Sequence, residues 1–230
     1  MLWLSLAVVG LVLAPQATGG AASAVAPEAA GVVFAFSEDG NLLASAGEEG
    51  RITLVDLTLG EERGTLSGSA RGAITELTFS PEGTLLAEVV GDTVTLWDLA
   101  SGEERALLRG PGAITELAFS PEGTTVAGVV ADRQLFLWDL SSGAQRWVFT
   151  SPRDTLREIA FSPDGTMLAS GGVTATQLKL WEVASGQERL SLTNPAGAGI
   201  RELAFSPVGM TLASVDEQGT ITLWDAVGGV

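Results

Sequence analysis

Four glutamates recur at one position of a repeated sequence, and they are the residues of this chain best suited to chemistry. They are Glu76, Glu116, Glu158 and Glu202, at spacings of 40, 42 and 44 residues, and Val33 holds the matching place upstream. Gathered around one opening, these carboxylates could attract a cation or a basic peptide, or serve a hydrolase or lyase as acid, base or metal ligand. The alternative is that each lies at a strand edge, solvated or paired with a neighbour such as Arg157 or Arg201.

Other catalytic chemistry is excluded by the residue types that the chain lacks. Its 230 residues include no histidine, no cysteine and no tyrosine. Serine–histidine–aspartate triads, thiol nucleophiles, zinc sites with histidine or cysteine ligands and disulfides therefore cannot form. No D-x-[DN]-x-[DN]-G calcium loop occurs in the sequence either. We predict no cofactor and no metal, and we assign no residue a catalytic role.

The charge balance restricts the partners. Lysine and arginine total 12 against 28 aspartates and glutamates, which gives a formal net charge of −16. A surface this acidic repels phosphate backbones and anionic lipid headgroups, so nucleic acid is not an expected partner. Basic protein partners suit the charge, although the same charge could simply keep the fold soluble.

Two sequence markers repeat through the chain. The first is a strand followed by a turn of the type Phe-Ser-Pro-Asp-Gly, with its phenylalanine at Phe36, Phe79, Phe119, Phe161 and Phe205. The second, about nineteen residues later, is a Trp-Asp pair followed by Ser-Gly, with Val55, Trp97, Trp138, Trp181 and Trp224 at the first position. Two independent markers that keep one period over five copies establish an internal repeat.

Each repeat has the pattern of four short strands. In the second copy, the run 74–79 alternates and is rich in strand-forming residues, and Ser80 to Gly83 fits a type I turn. Residues 85–90 and 94–97 are short apolar runs, and 104–108 is a more polar outer strand. Short strands separated by turns, at a repeat length of 40–44 residues, predict an all-β propeller of about five four-stranded blades.

Both markers resemble the WD-repeat family over residues 32–225. The resemblance implies a ring of blades around a central channel, with the tryptophans Trp97, Trp138, Trp181 and Trp224 as structural residues on the third strands. The family often carries a Gly-His pair whose histidine joins a hydrogen-bonded network with the Trp and an Asp. This chain has no histidine, and Glu182 replaces the Asp of the fourth repeat. We therefore expect the blades to be stabilised mainly by apolar packing.

The number and closure of the blades are separate predictions. The repeats place blades near residues 32, 74, 114, 156 and 200, in a domain over 27–230. The fifth copy ends just after its third strand, and the candidate for the fourth is Ala22 to Gly31, which is poor in β-branched residues and hence a weak strand. Three alternatives are open: a small closed ring, an open arc whose bare edges pair with a partner or another copy, or a piece of a longer propeller.

Residues 1–26 predict a signal peptide or a membrane anchor. No charged residue precedes Pro27, and Leu2 to Ala14 is almost wholly apolar. An apolar run of this length followed by small residues is typical of a secretory signal, although no lysine or arginine precedes it. Extended to Val25, the run is long enough to cross a membrane as a helix, and a third alternative packs it on the propeller as an extra strand. We expect export to the periplasm or the extracellular space, or membrane association through residues 2–25, rather than a cytoplasmic location.

Two features lie outside the repeated Trp position. Trp147 is on a predicted outer strand beside Phe149, and it is either an anchor for a partner or packed against the adjoining blade. An arginine recurs at the start of the outer strand, where we expect exposed pairs with nearby glutamates, at Arg63, Arg105, Arg146 and Arg189.

These observations favour a non-enzymatic scaffold for protein–protein interaction, as an exported or membrane-associated subunit of a larger complex. The alternative is a propeller hydrolase or lyase with a carboxylate or metal site at the channel mouth, built from the glutamate row. A homo-oligomer is expected if the ring is open.

Overall fold

The computed structural model describes residues 33–47, 50–68, 72–131, 133–150, 155–172 and 177–226, and the backbone of 12–13 and 24–25. Every regular element within these ranges that spans more than one residue is a β-strand, which confirms the all-β prediction. The chain forms two compact units, residues 1–105 and 106–230.

Two short strands precede the repeats. Strands β1 (Val12–Leu13) and β2 (Ala24–Val25) pair with each other in antiparallel register. The rest of the segment predicted as a signal, an anchor or a closing strand lies outside the described residues. Within the described part of the chain, no helix is long and apolar enough to cross a membrane.

The first unit contains blade 1 and most of blade 2, and each blade is a sheet whose four strands follow chain order. Blade 1 consists of β3 (Val33–Phe36), β4 (Leu42–Ala46), β5 (Arg51–Asp56) and β6 (Glu61–Ser67). Blade 2 consists of β7 (Glu76–Phe79), β8 (Leu85–Val90), β9 (Thr93–Asp98) and β10 (Glu104–Arg109). The boundary between the units falls inside β10.

The second unit contains blades 3, 4 and 5. Blade 3 consists of β11 (Ile114–Phe119), β12 (Thr125–Val130), β13 (Gln134–Asp139) and β14 (Gln145–Thr150). Blade 4 consists of β15 (Leu156–Phe161), β16 (Met167–Gly172), β17 (Gln177–Glu182) and β18 (Glu188–Thr193). The three described strands of blade 5 are β19 (Ile200–Phe205), β20 (Thr211–Asp216) and β21 (Ile221–Asp225). The strand pattern predicted for the repeats is confirmed.

The turn between the first two strands of a blade is held by its own serine. In blade 2, the Ser80 carbonyl accepts a hydrogen bond from the Gly83 amide at 2.9 Å, and the Ser80 hydroxyl oxygen accepts one from the Leu85 amide at 3.0 Å. Gly83 has a φ of +68°, a left-handed conformation that favours glycine. The turn is therefore closed by local bonds and does not depend on neighbouring elements.

Each blade has two faces that pack in a fixed order. The front face carries the turn phenylalanine and the repeated Trp, and the rear face carries the residues one and three positions before that Trp. Within each unit, rear faces pack on the front face of the next blade: Ile52 and Leu54 with Phe79 and Trp97, Leu135 and Leu137 with Leu168 and Trp181, and Leu178 and Leu180 with Leu212 and Trp224. Burial of each such side chain contributes about 1.5–3 kcal/mol, so these layers form the core of each unit.

Candidate functional site

The four glutamates occupy one register position on the first strands of blades 2 to 5. Their partners on the second strand are equivalent residues, with Glu76 opposite Val89, Glu116 opposite Val129, Glu158 opposite Gly171 and Glu202 opposite Val215. Glu76, Glu116 and Glu158 are half-buried, and Glu202 is exposed. The equivalence predicted from the repeat spacing is thus found in the sheet register.

A β-bulge directs the three glutamates of the second unit. The register shifts between Ile114 and Glu116, and the same shift recurs before Glu158 and Glu202. A bulge places two residues opposite one and changes the direction of the side chain that follows it. Ile114 is buried just before the bulge, and Glu116 just after it is half-buried. The strand therefore keeps the apolar contact of Ile114 while the Glu116 carboxylate is partly exposed.

Glu158 has a perturbed carboxyl group. Burial, which removes water from the charged form, raises its pKa to about 7; the nearby Arg157 opposes the rise and the like charge of Glu202 adds to it. Of the two arginines named as candidate partners of the row, Arg157 contacts Glu217, outside the row, at 3.3 Å, and Arg201 contacts Glu202 at 3.5 Å. Arginine pairing, the alternative reading of the row, therefore applies at Glu202.

Replacement of Glu158 by glutamine is expected to raise stability above neutral pH. The folded-state pKa of Glu158 lies above the unfolded value of 4.5, so the folded state binds the proton more tightly than the unfolded state does. The stabilisation that this proton gives is lost as the pH rises from 4.5 to about 7. Because the group is partly solvated, we expect a gain on the order of 1 kcal/mol at pH 8, a rise in Tm of about 2–4 °C, and none at pH 4. Thermal unfolding of both proteins at the two pH values measures it.

The matched control is Glu202→Gln, which removes the exposed carboxylate at the same register position. It should give a smaller change in Tm at pH 8 and shift the Glu158 titration to lower pH, because the like charge is gone. Equal Tm values for wild type and Glu158→Gln at pH 8 would contradict the assignment.

Among the described residues, no group of three or more acidic side chains is close enough to hold a metal ion.

Trp147 lies between blades 3 and 4. Its indole Nε1 donates a hydrogen bond to the Val183 carbonyl at 3.0 Å, and its ring packs edge-on against Phe149 at 4.4 Å between centroids. Phe149 stacks on Trp181 at 4.0 Å, and the Trp147 ring covers Gly186, where a Cβ would lie only 3.0 Å from it. Trp147 is half-buried in this contact, so it links adjoining blades. A role as partner anchor stays a prediction.

The repeated tryptophans find hydrogen-bond partners that the sequence analysis did not anticipate. The indole Nε1 groups of Trp181 and Trp224 donate to the hydroxyls of Ser170 and Ser214, both at 2.9 Å. In blade 2 the indole of Trp97 donates instead to Glu88 at 2.8 Å, a carboxyl that is only 1 % exposed. The detectable signal was a single repeat column, two residues after the second-strand leucine or valine that lies opposite the Trp.

Blade 3 and blade 1 depart from this pairing in consistent ways. Gly128 occupies the column in blade 3, and a Cβ there would lie 3.0 Å from the Trp138 ring, so the glycine makes room for the indole. In blade 1 the column holds Ser45, but Val55 replaces the Trp and has no N–H to donate.

An asparagine forms a buried polar contact near the last blade. Asn194 and Asp216 are each only 2 % exposed, and the Asn194 amide nitrogen donates to the Ala198 carbonyl at 2.8 Å and to Asp216 at 3.4 Å. The histidine network of the family cannot form without histidine, but buried hydrogen bonds supplement the apolar packing that we expected to stabilise the blades.

The Asp of the Trp-Asp pair closes the turn between the third and fourth strands. The Asp139 carboxylate accepts bonds from the backbone amides of Ser141 and Ser142 at 3.0 and 3.1 Å, and hydrogen bonds from the Ser141 hydroxyl and the Ser142 amide lower its pKa to about 2. Asp56 and Asp98 bind their turns in the same way. In blade 4, the longer Glu182 binds the Ser185 hydroxyl instead.

The repeated arginines lie near these turn carboxylates. Hydrogen bonds from the Thr58 side chain and the Ser101 amide are the main causes that lower the pKa values of Asp56 and Asp98, and the charges of Arg63 and Arg105 add to them. Arg189 contacts Glu182 at 3.8 Å, which is an exposed arginine–glutamate pair of the predicted kind.

Four-stranded blades in sequence order, with a Trp-Asp turn closing the third strand, define a protein of the WD-repeat β-propeller class. A model of the WD40 family (WD domain, G-beta repeat) matches residues 102–139, 143–182 and 186–225. The chain belongs to the WD40 family.

The chain is similar to parts of several longer proteins. It is 29% identical to protein tipD of Dictyostelium discoideum over 61% of this chain and 23% of that protein. It is 44% identical to WD repeat-containing protein 1 of Xenopus tropicalis over 29% of this chain and 11% of that protein. With the small ribosomal subunit protein RACK1 of Caenorhabditis elegans the identity is 38%, over 30% and 20% of the two chains. The chain thus aligns with less than a quarter of the length of these relatives.

Proposed function

We propose that this chain is a non-enzymatic scaffold for protein–protein interaction, with the repeated turns as its binding surface. Membership of the WD40 family supports the scaffold role. The observation that carries the choice of surface is that the turns are held by their own side chains, as Ser80 and Asp139 illustrate. A surface that is already ordered loses little conformational entropy when a partner binds.

The charge of the turns favours a basic partner segment. Glu82 and Glu122 occupy the same exposed turn position in blades 2 and 3, and the whole chain has a net charge of −16. Complementary charge raises the rate of association and selects against acidic partners. The partner surface that fits this scaffold is therefore one rich in lysine and arginine.

Affinity capture with charge-reversed variants tests the proposal. The immobilised full chain, the variant Glu82→Lys/Glu122→Lys and the control Glu61→Lys/Glu104→Lys are exposed to an extract of the source organism. The control makes the same charge change at exposed outer-strand positions. We expect proteins that bind wild type and control but are lost from the turn variant. Equal capture by all three, or capture no greater than on blank resin, would overturn the proposal.

A hydrolase or lyase is the second candidate, and the observation in its favour is the Glu158 carboxyl with its pKa of about 7 next to Glu202. Addition of Mg²⁺, Mn²⁺, Ca²⁺ or Zn²⁺ to the intact chain discriminates the two candidates. Under the scaffold proposal the Tm is unchanged. A rise of several degrees that is absent in Glu158→Gln would favour the enzyme.

We also propose that residues 1–26 direct export or anchor the chain in a membrane, where it would be a subunit of a larger complex. The uncharged apolar run from Leu2 to Ala14 supports this. Cell fractionation followed by mass spectrometry of the N-terminus provides the test. An N-terminus near residue 27, or recovery with the membrane fraction, is expected, and an intact Met1 in the cytoplasmic fraction would contradict it.

A further inference from the structure

The large apolar side chains that the described residues leave exposed are confined to the two terminal blades. Blade 1 exposes three of them and blade 5 the other three: Phe36, Leu57 and Leu59, and Val208, Ile221 and Leu223. Blades 2, 3 and 4 expose none within the described ranges. The exposure therefore follows position in the chain and not composition, because the repeats are alike in sequence.

Blade 5 leaves its rear face uncovered. Ile221 and Leu223 lie three and one positions before Trp224, and each is 68 % exposed. The equivalent residues of blade 4, Leu178 and Leu180, are fully buried against the front face of blade 5. Ala213 and Val215 lie opposite Leu223 and Ile221 on the same face and are half-buried.

Blade 1 leaves part of its front face uncovered. Phe36 is 42 % exposed and Leu57 is 39 % exposed, whereas the equivalent Phe79 and Leu99 of blade 2 are each 8 % exposed in the contact with blade 1. Leu59 is also exposed, at a turn position where the next three repeats have serine. Among the described residues, the rear face of blade 5 is thus exposed and the front face of blade 1 is partly exposed.

These two faces are the halves of a contact that the chain makes three times between successive blades. An exposed ion pair lies at the rim of one such contact. Arg157 of blade 4 and Glu217 of blade 5 are 3.3 Å apart. By repeat position, Arg201 of blade 5 corresponds to Arg157. The position of the first repeat that corresponds to Glu217 lies outside the described residues.

We propose that the rear face of blade 5 docks on the front face of blade 1 of a second copy of this chain. The two surfaces differ, so the contact is head-to-tail, which allows addition of further copies. Apolar burial at Ile221, Leu223, Phe36 and Leu57 drives the association, and the net charge of −16 on each copy opposes it. Added salt screens that repulsion and should strengthen the association.

Light scattering during size exclusion, across a wide range of protein concentration, tests this. Wild type is expected to form dimers and larger species as the concentration rises. Leu223→Lys on the rear face and Leu57→Lys on the front face should each weaken self-association by at least about tenfold. Val208→Lys is the control, since Val208 is 79 % exposed in blade 5 but lies in the first turn, outside the rear face. Thermal unfolding verifies that each variant is folded.

Mixing the two face variants distinguishes head-to-tail docking from other arrangements. Leu223→Lys keeps an intact front face and Leu57→Lys keeps an intact rear face, so an equimolar mixture should form a dimer and no larger species. A wild-type chain that stays monomeric at its highest soluble concentration would overturn the proposal, and so would self-association of Leu57→Lys alone through its rear face. Neither result bears on the test of the scaffold proposal, because Glu82 and Glu122, which that test changes, lie outside both docking faces.

Discussion

Replacement of Trp138 by alanine is expected to lower the free energy of unfolding by about 3–5 kcal/mol. The side chain is only 2 % exposed, stacks on Phe136 with 5.5 Å between ring centroids, and fills the space that Gly128 leaves open. Loss of the indole leaves a cavity between two strands that cannot close it without moving the backbone. The corresponding fall in Tm is roughly 6–20 °C for a chain of this length.

Urea unfolding, with Trp138→Phe as the control, measures this effect. Phenylalanine keeps part of the aromatic contact, so its loss should be clearly smaller than that of alanine. A Trp138→Ala protein whose unfolding midpoint matches wild type would show that blade 3 does not depend on this side chain.

The same leucine-to-alanine change should lower the free energy of unfolding strongly at one of two equivalent repeat positions and very little at the other. Leu180 is fully buried between blades 4 and 5, and we expect Leu180→Ala to cost about 2–5 kcal/mol. Leu223 holds the same place in blade 5 but is 68 % exposed, and Leu223→Ala should stay within about 0.5 kcal/mol of wild type.

Each of these two variants is the control for the other, because residue type and repeat position are the same. The measurement is urea unfolding at low protein concentration, where self-association adds nothing to stability. Similar losses for both variants would mean that Leu223 is covered in the monomer.

Much of the fold follows from repeat spacing and alternation. The turn at Ser80 to Gly83 lies where the pattern places it, and the strand predicted over 94–97 is observed with one more residue at each end, as Thr93–Asp98. This works because the apolar alternation and the turn residues act locally, within one blade. The N-terminal prediction lies mostly outside the described residues.

Less of the candidate site could be predicted. Repeat spacing placed Glu158 in the right register. The bulge before Glu158 depends on how two strands adjust to each other, and no residue type in the sequence predicts it. The Glu88 contact with Trp97 required knowing which face of β8 each side chain occupies. For Trp147 the sequence left two alternatives, a partner anchor or packing against the adjoining blade, because the Val183 carbonyl that accepts its hydrogen bond is 36 residues further along the chain.

The indole hydrogen bonds described above have a consequence for how such a chain changes length during evolution. Trp97, Trp181 and Trp224 each donate to a residue of their own repeat, and Asp139 likewise binds its own turn. These indole and turn bonds are therefore closed within one repeat, whereas the Trp147–Val183 and Asn194–Asp216 bonds cross from one repeat to the next. Duplication or deletion of one repeat unit leaves the indole and turn bonds intact, so the number of units can vary wherever no crossing bond is interrupted.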